Sequence, residues 1–494
     1  MAASRARRQL PGALMVEPRT IDRAGVMREW QENRPRLLKS GARQASSPAF
    51  VRMFLWTALP ITAQALMASS RTVFDVFMTS SLGPEEVAVV GYGSRIVFIL
   101  ILLVLGICNG AGVVVAQFYG GGSKDRAKYA VGTTVLLSFA VSLVGLALIV
   151  LLAGPLAAWS SDDPAIQHLT LSYLLPASFM VLPFSVGFAI AVGLRSVGRP
   201  SLATWASMIG LTSNVVLNYS LIFGNFGAPA LGVTGAAYAS ALSFAIEAVI
   251  VGICAVWFYD RDLFSPRRLA QYLSADTVRK TLRIGLPIAF GSVVWAIGIF
   301  AYSIVSAMAG TVPLAVMALV TPVESMAIAV LIGLSSTTNV IVGQALGRAD
   351  FRRATIDAIA LVLWTVIASL AMSLLLLALK PALMMVYGGA GIEVLTVADD
   401  VFAVLAAVFI FRSLNVTMVV GVLRAGGDTT SPIVMDLASQ WLVAIPLSYV
   451  CAIILGLPFP WVFLAFNSEE MARQVMALIR LRQFRWLIQI KPDG

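Results

Sequence analysis

The sequence predicts an all-α polytopic membrane protein: twelve transmembrane helices in two parallel six-helix repeats. Composition, the length of the apolar runs and internal self-similarity carry that prediction. Of 494 residues, 59% are hydrophobic and only 12% charged, where a soluble globular chain carries roughly 25% charge. A mean hydropathy of +0.87 over this length excludes an ordinary soluble enzyme, a nucleic-acid factor and a disordered scaffold. Cys108, Cys254 and Cys451 each lie inside an apolar run, far apart, in no disulfide or zinc spacing. The single histidine, His168, leaves no cluster for haem, di-iron or zinc chemistry. No enzyme activity and no cofactor are expected.

The first fifty residues hold ten basic residues, from Arg5 to Arg43. The short apolar stretch after Arg7-Arg8 is marginal and no small-residue cleavage site follows it, so no leader is expected. Residues 1–52 read as a flexible basic cytoplasmic tail. From Phe54 onward, twelve apolar runs reach the roughly 20 residues a bilayer demands. They cover about 54–79, 87–118, 131–158, 169–193, 201–223, 233–257, 285–309, 314–346, 355–379, 400–421, 432–454 and 459–480. The expected units are a lobe over 53–258, an interlobe loop over 259–283, a second lobe over 284–482 and a tail over 483–494.

The basic residues fix the expected orientation. With the N-terminus inside, 31 of the 35 lysines and arginines fall on the cytoplasmic side, a strong positive-inside bias. Both termini are therefore expected in the cytoplasm, with the chain multi-pass in the cell membrane, the inner membrane in a bacterium. Lys380 falls on the opposite side, and Arg71, Arg95 and Arg412 lie within spans.

Sliding the chain on itself by 227 residues aligns Leu59-Pro60-Ile61 with Leu286-Pro287-Ile288. The same shift aligns Gly106 with Gly333, Gln117 with Gln344, Gly120 with Gly347 and Arg126-Ala127 with Arg353-Ala354, giving 14 identities over positions 59–127. At a shift of 229, Leu194-Arg195 and Gly198 match Leu423-Arg424 and Gly427. Six spans separate the repeats, so they are parallel, related by an axis along the membrane normal, and such halves rock about a central cavity. The charged 258–283 loop is the expected soft hinge. Gly106, Gly110 and Gly112 favour close helix contact.

The ordered motifs GLRSVGRPS (193–201), SNVVLNYSLIFG (213–224), LGVTGAAYAS (231–240), VGQALGRADFRRA (342–354) and VLRAGGDTTSP (422–432), with ALP at 58–60 and VFDVFMTSSLG at 73–83, resemble the multidrug and toxic compound extrusion (MATE) family. The resemblance runs from about Phe54 to Arg485. It implies two lobes in a V shape that rock between inward and outward states, a helix kink at Pro60, and exchange of inward protons or sodium for bulky, cationic or amphipathic organic compounds. Small-molecule substrates and the lipid bilayer are the expected partners, with no nucleic acid, and a monomer is the expected state.

A charge within the bilayer costs at least a few kcal/mol, so every intramembrane ionisable group is a functional candidate. Asp75 matches the family's first-helix cation-binding carboxylate, and its neighbours there match Asn214, Asn218 and Ser240. A carboxylate, two amide oxygens and a hydroxyl also make a chemically sensible sodium set, and Asn214 and Asn218 share one helix face. The alternative is that Asp75 caps a helix end and the asparagines are packing. Arg71, one turn before Asp75, departs from the family's tyrosine. It either pairs with Asp75, favouring protons over sodium, or snorkels outward. Arg95 is a second candidate partner.

In the other lobe the family's acidic positions in helices seven and ten are Trp295 and Ser413 here, so that version of the site is in doubt. Glu324 and Arg412 are cavity candidates, and Glu247 is either functional or a buried pair. Asp357, Asp436, Glu469 and Glu470 read as interfacial. A lipid or lipid-linked oligosaccharide flippase of the same superfamily is the alternative function, kept open by the three intramembrane arginines. A nucleotide-driven pump is excluded because no GxxxxGK[ST] motif occurs.

Overall fold

The computed structural model describes residues 23–490, the side chains of residues 266, 269 and 270 excepted. It is all helical among the described residues. The first lobe comprises α2 (Pro48–Ser80), α3 (Pro84–Gly120), α4 (Lys124–Ala158), α5 (Pro164–Phe179) with α6 (Val181–Ser196), α7 (Pro200–Phe223) and α8 (Gly232–Phe258), preceded by α1 (Arg23–Ala45). After the short α9 (Leu269–Tyr272), the second lobe comprises α10 (Ala275–Met308), α11 (Thr311–Gly347), α12 (Phe351–Val386) and α13 (Ile392–Asn415), the last running on through a π-helical stretch to Leu423. The eleventh crossing, Thr430–Ile454, contains α14 (Thr430–Leu437) and α15 (Ile445–Tyr449), with wider π turns at 438–444 and 450–454. The chain closes with α16 (Phe459–Phe466) and α17 (Ser468–Arg482).

Among the described residues, eleven helical segments are long and apolar enough to cross a membrane. The twelfth expected run, 459–480, is present as α16 and α17, divided at Asn467. The charged stretch Glu469, Glu470, Arg473 that begins α17 keeps that run below the apolarity of the others. The fourth crossing is likewise divided, at Met180. Pro183 has no N–H to donate to the Phe179 carbonyl, so the helix ladder is interrupted there. In contrast, α2 runs on through Pro60, whose carbonyl accepts from the Thr204 hydroxyl (2.8 Å).

The repeat seen in sequence is also a repeat of contacts. Gln117 of α3 donates to the Ala425 carbonyl (2.7 Å), and its counterpart Gln344 of α11 donates to the Ser196 carbonyl (2.9 Å). A Cβ on Gly106 would strike Ala289, and one on Gly333 would strike Thr62. These two contacts also map onto each other at the 227 shift. The lobes thus meet through a pseudo-twofold interface in which each side presents equivalent residues. The Leu-Arg-x-x-Gly motifs are helix ends: Arg199 N–H bonds the Leu194 carbonyl (2.8 Å) and Asp428 N–H the Leu423 carbonyl (3.2 Å). Gly198 (φ 80°) and Gly427 (φ 77°) supply the left-handed residue that this cap needs.

The apolar cores show where the lobes join. At the face bearing both termini they are shared: Phe50, Phe54 and Ala58 pack into the second lobe, and Ile284 and Ile288 into the first. Toward the opposite face each lobe has its own core, built around Val97, Val104 and Leu174 in one and Phe402, Leu405 and Phe463 in the other. The molecule is therefore a V, joined at the terminal face and open on the other.

Three segments differ from the sequence expectation. Residues 23–45 are not a flexible tail; they form α1, which lies against α12. Val26 and Leu37 are fully buried, Gly41 approaches Ile359, Glu29 pairs with Arg352 (3.1 Å), and Trp30 meets Phe484 edge to face. The basic side chains hid an apolar seam that only a packed neighbour makes visible. Residues 1–22 of the expected tail, and 491–494, lie outside the described residues. The C-terminal stretch 483–490 is also docked: Phe484, Trp486 and Leu487 are buried, and Ile490 N–H bonds Gln117 across the lobe interface (2.7 Å). The interlobe loop is anchored rather than loose. Tyr272 is buried against Gly132, its carbonyl accepting from Thr133 of α4 (2.5 Å) and its hydroxyl bonding the Leu263 carbonyl (2.8 Å).

Candidate ion-coupling site

In the open half of the first lobe, α2 packs on α7, with α8 beside it. Asp75 sits near the far end of α2, half-buried, facing that pair. Asn218 of α7 donates its amide to Asp75 Oδ1 (2.5 Å), and Ser240 of α8 donates its hydroxyl to Oδ2 (3.4 Å). Asn214, one turn before Asn218, accepts from the same amide (3.4 Å). Asn214, Asn218 and Ser240 are all buried. Asp75 is thus held by neutral donors from two helices, not used as a helix cap. Two atoms next to it, Asn214 Nδ2 and Asn218 Oδ1, are buried without a hydrogen-bond partner. Such orphans are costly, and an amide donor and an amide acceptor left open beside a carboxylate suit a site that a small hydrated species enters.

Arg71 follows neither of the two expected courses. It is buried, so it does not snorkel, and its ion pair is with Glu247 of α8 (2.9 Å), not with Asp75. The guanidinium lies 3.9 Å from the Phe244 ring centroid, a cation–π contact. Glu247 Oε1 accepts from Ser207 of α7 (2.5 Å), and the Ser207 hydroxyl accepts from Gln64 of α2 (3.1 Å). Glu247 is therefore a half-buried ion-pair partner, a role that sequence left undecided. Arg95 is exposed and makes no ion pair with Asp75. The reason is packing: α3 lies on α4, α5 and α6 in this lobe, while α7 and α8 flank α2.

The second lobe carries a larger buried charge network. Arg412 pairs with Glu324 and with Glu470 (3.3 Å). Arg473 pairs with Asp436 (3.0 Å) and Glu470 (3.5 Å). Asn415 donates to Glu470 (2.8 Å), and Tyr302 donates to Glu469 (2.8 Å). Glu469 and Glu470 are 4% and 3% exposed, so the interfacial reading of these two is corrected. Asp357 is also buried, held by Arg353 (3.0 Å) and by Gln44 of the docked N-terminal segment (3.1 Å). Sequence reading missed these because acids near a span end look solvated until a neighbouring helix covers them. The one usable signal was the i,i+3 and i,i+4 spacing of Arg473 from Glu470 and Glu469. Trp295 and Ser413 add no charge here.

A family model described as MatE matches residues 60–220 and 287–450, one stretch in each lobe. The chain belongs to this family, the MATE membrane transporters. It is 23% identical over 449 residues to the probable multidrug resistance protein NorM of Halalkalibacterium halodurans, covering 87% of this chain and 97% of that one. It is 26% identical over 434 residues to the protein of the same name from Agrobacterium fabrum, covering 85% and 91%. The fold is similar to the crystal structure of a point mutant of the Vibrio cholerae MATE transporter VcmN, with a TM-score of 0.81 at 16% identity, covering 91% of this chain and 99% of that one. The MATE fold accounts for the two lobes and places this chain among transporters, not enzymes.

Proposed function

We propose that this MATE chain is a secondary active antiporter. It exports bulky cationic or amphipathic organic compounds, drugs and toxins among them, in exchange for inward cations through alternating access. The face bearing both termini is cytoplasmic in this reading, in line with the placement of lysine and arginine. The V then opens outward. The multidrug resistance names of the curated relatives support drugs as the exported compounds, and the cationic or amphipathic character follows from the family resemblance.

The observation that carries the coupling site is Asp75, held only by neutral donors beside two unpartnered amide atoms. We assign the coupling ion as the proton. Both carboxylate oxygens already accept hydrogen bonds, and Asn218 Oδ1 is the single unpartnered oxygen among these ligands. A sodium ion needs several oxygens at once, whereas a proton needs one carboxylate oxygen. The flippase alternative loses support, because two of the three arginines that would make a cationic cavity, Arg71 and Arg412, are paired with carboxylates. The test is purified protein in liposomes, with proton and sodium gradients imposed separately and efflux of cationic and anionic dyes followed. Asp75→Asn is expected to insert normally and lose gradient-driven efflux. Wild-type rates in that variant sink the assignment, and efflux driven only by sodium reverses the choice of ion.

A further inference from the structure

One helical turn from Asp75 stands a polar column that the coupling carboxylate does not itself use. Arg71, on the same face of α2, gives its guanidinium to Glu247 (2.9 Å). Glu247 is in turn fixed by Ser207 (2.5 Å), and Ser207 by Gln64 (3.1 Å). Phe244 covers the guanidinium. A Cβ at Gly210 would press on the Glu247 carboxylate (2.7 Å) and on Arg71 (3.0 Å), so that glycine makes the room they fill. The pair is largely buried, at 9% and 19% side-chain exposure, and Arg71 Nε has no partner. The guanidinium is therefore not saturated where it lies.

We propose that Glu247 is a positioning residue for ion coupling. It competes with Asp75 for the one guanidinium of Arg71 and thereby sets the pH at which Asp75 loads. The inference rests on the reading of Asp75 as the coupling carboxylate. Two carboxylates face one guanidinium within two helical turns, so the arginine can neutralise only one of them at a time. The other groups turned toward them are Ser207, Asn214 and Asn218 of α7, and Ser240 and Phe244 of α8. Tyr173 of α5 lies within electrostatic reach of Asp75, its hydroxyl 2.8 Å from Ser94 of α3. None of these is an alternative ion partner for arginine. With Glu247 holding Arg71, every hydrogen bond to Asp75 comes from a neutral donor, and the guanidinium acts on it without an ion-pair contact. With Glu247 replaced by glutamine, the long flexible stem of Arg71 carries the guanidinium to Asp75. An adjacent arginine lowers the titration of a carboxylate by about 1–3 pH units.

Proteoliposomes carrying the full chain, with ethidium as the exported cation, test this through the external pH giving half-maximal efflux. Glu247→Gln is expected to move that pH acidward by about 1–2 units, with the KM for ethidium within about twofold of wild type and the loss confined to kcat at neutral pH. Glu247→Asp is expected to keep the wild-type profile, because the carboxylate remains. Glu247→Gln combined with Arg71→Gln removes the competitor and the cation together and is expected to return the profile to wild type. This double variant also carries the test if Glu247→Gln alone fails to insert, since an acid-shifted profile in it then overturns the inference. An unshifted profile in Glu247→Gln overturns it as well, as does a shift that the second substitution leaves in place. Asp75→Asn runs alongside: if it retains coupled efflux, the reading of Asp75 itself fails, whereas an inactive Asp75→Asn with an unshifted Glu247→Gln rejects only the role of Glu247.

Discussion

Between the first and sixth crossings of the N-terminal lobe, Asp75 meets Ser240. At the same positions of the C-terminal lobe, 227 and 229 residues on, Tyr302 meets Glu469 (2.8 Å). The contact is kept and the carboxylate has changed helices. Its surroundings have changed with it. Asp75 faces neutral donors and two unpartnered amide atoms, while Glu469 and Glu470 adjoin Arg473 and Arg412. The place of Arg71 is also taken differently, since its counterpart Gly298 is covered by the side chain of Gln440. An acid whose hydrogen-bond partners are all neutral can change its charge state with little rearrangement. Acids fixed by buried guanidiniums hold a lobe together, and disturbing them leaves an uncompensated charge.

The comparison breaks most visibly at Arg412. Arg412→Leu leaves half-buried Glu324 and buried Glu470 with less counter-charge and is expected to lower stability by about 3–5 kcal/mol, read as a fall in Tm of the detergent-solubilised protein. Asp75→Asn is expected to change the same Tm little. A large Tm loss there and none at Arg412 inverts the contrast. Next in size is the interlobe seam. Gln117→Ala removes bonds to Ala425, Ile488 and Ile490 and is expected to cost about 2 kcal/mol, each bond contributing roughly 0.5–1.5 kcal/mol. Its repeat partner Gln344 makes one such bond, to Ser196, so Gln344→Ala is expected to cost about 1 kcal/mol. Equal losses in the two variants remove the C-terminal stretch from the seam. The smallest effect on transport is expected from Tyr302→Phe: losing one hydrogen bond to a buried carboxylate costs about 1.5 kcal/mol of stability, with dye efflux in liposomes near wild type. Loss of efflux there makes the second lobe a participant in coupling.

The site was partly legible before any packing was known. Asp75, Asn214, Asn218 and Ser240 stand in motifs whose order along the chain is specific, and the helical spacing of the asparagines puts them on one face. Arg71 was visible as an anomaly but not as a pair, because its partner is 176 residues away on a helix whose rotation no local pattern reports.

By itself the sequence determined the apolar crossings, the twofold repeat and the Leu-Arg-x-x-Gly helix ends. Each of these depends on a local quantity: the length of an apolar run against bilayer thickness, residue identity at a fixed shift, or a glycine able to take positive φ. Only the tertiary structure decided that Glu247 takes Arg71 and that Glu469 and Glu470 are buried. It also decided that α1 and the C-terminal stretch 483–490 are docked parts of the fold. Those outcomes depend on which helix face covers which. A charge near a span end is solvated or buried according to a neighbour far away in the chain, and desolvation then forces it to find a partner.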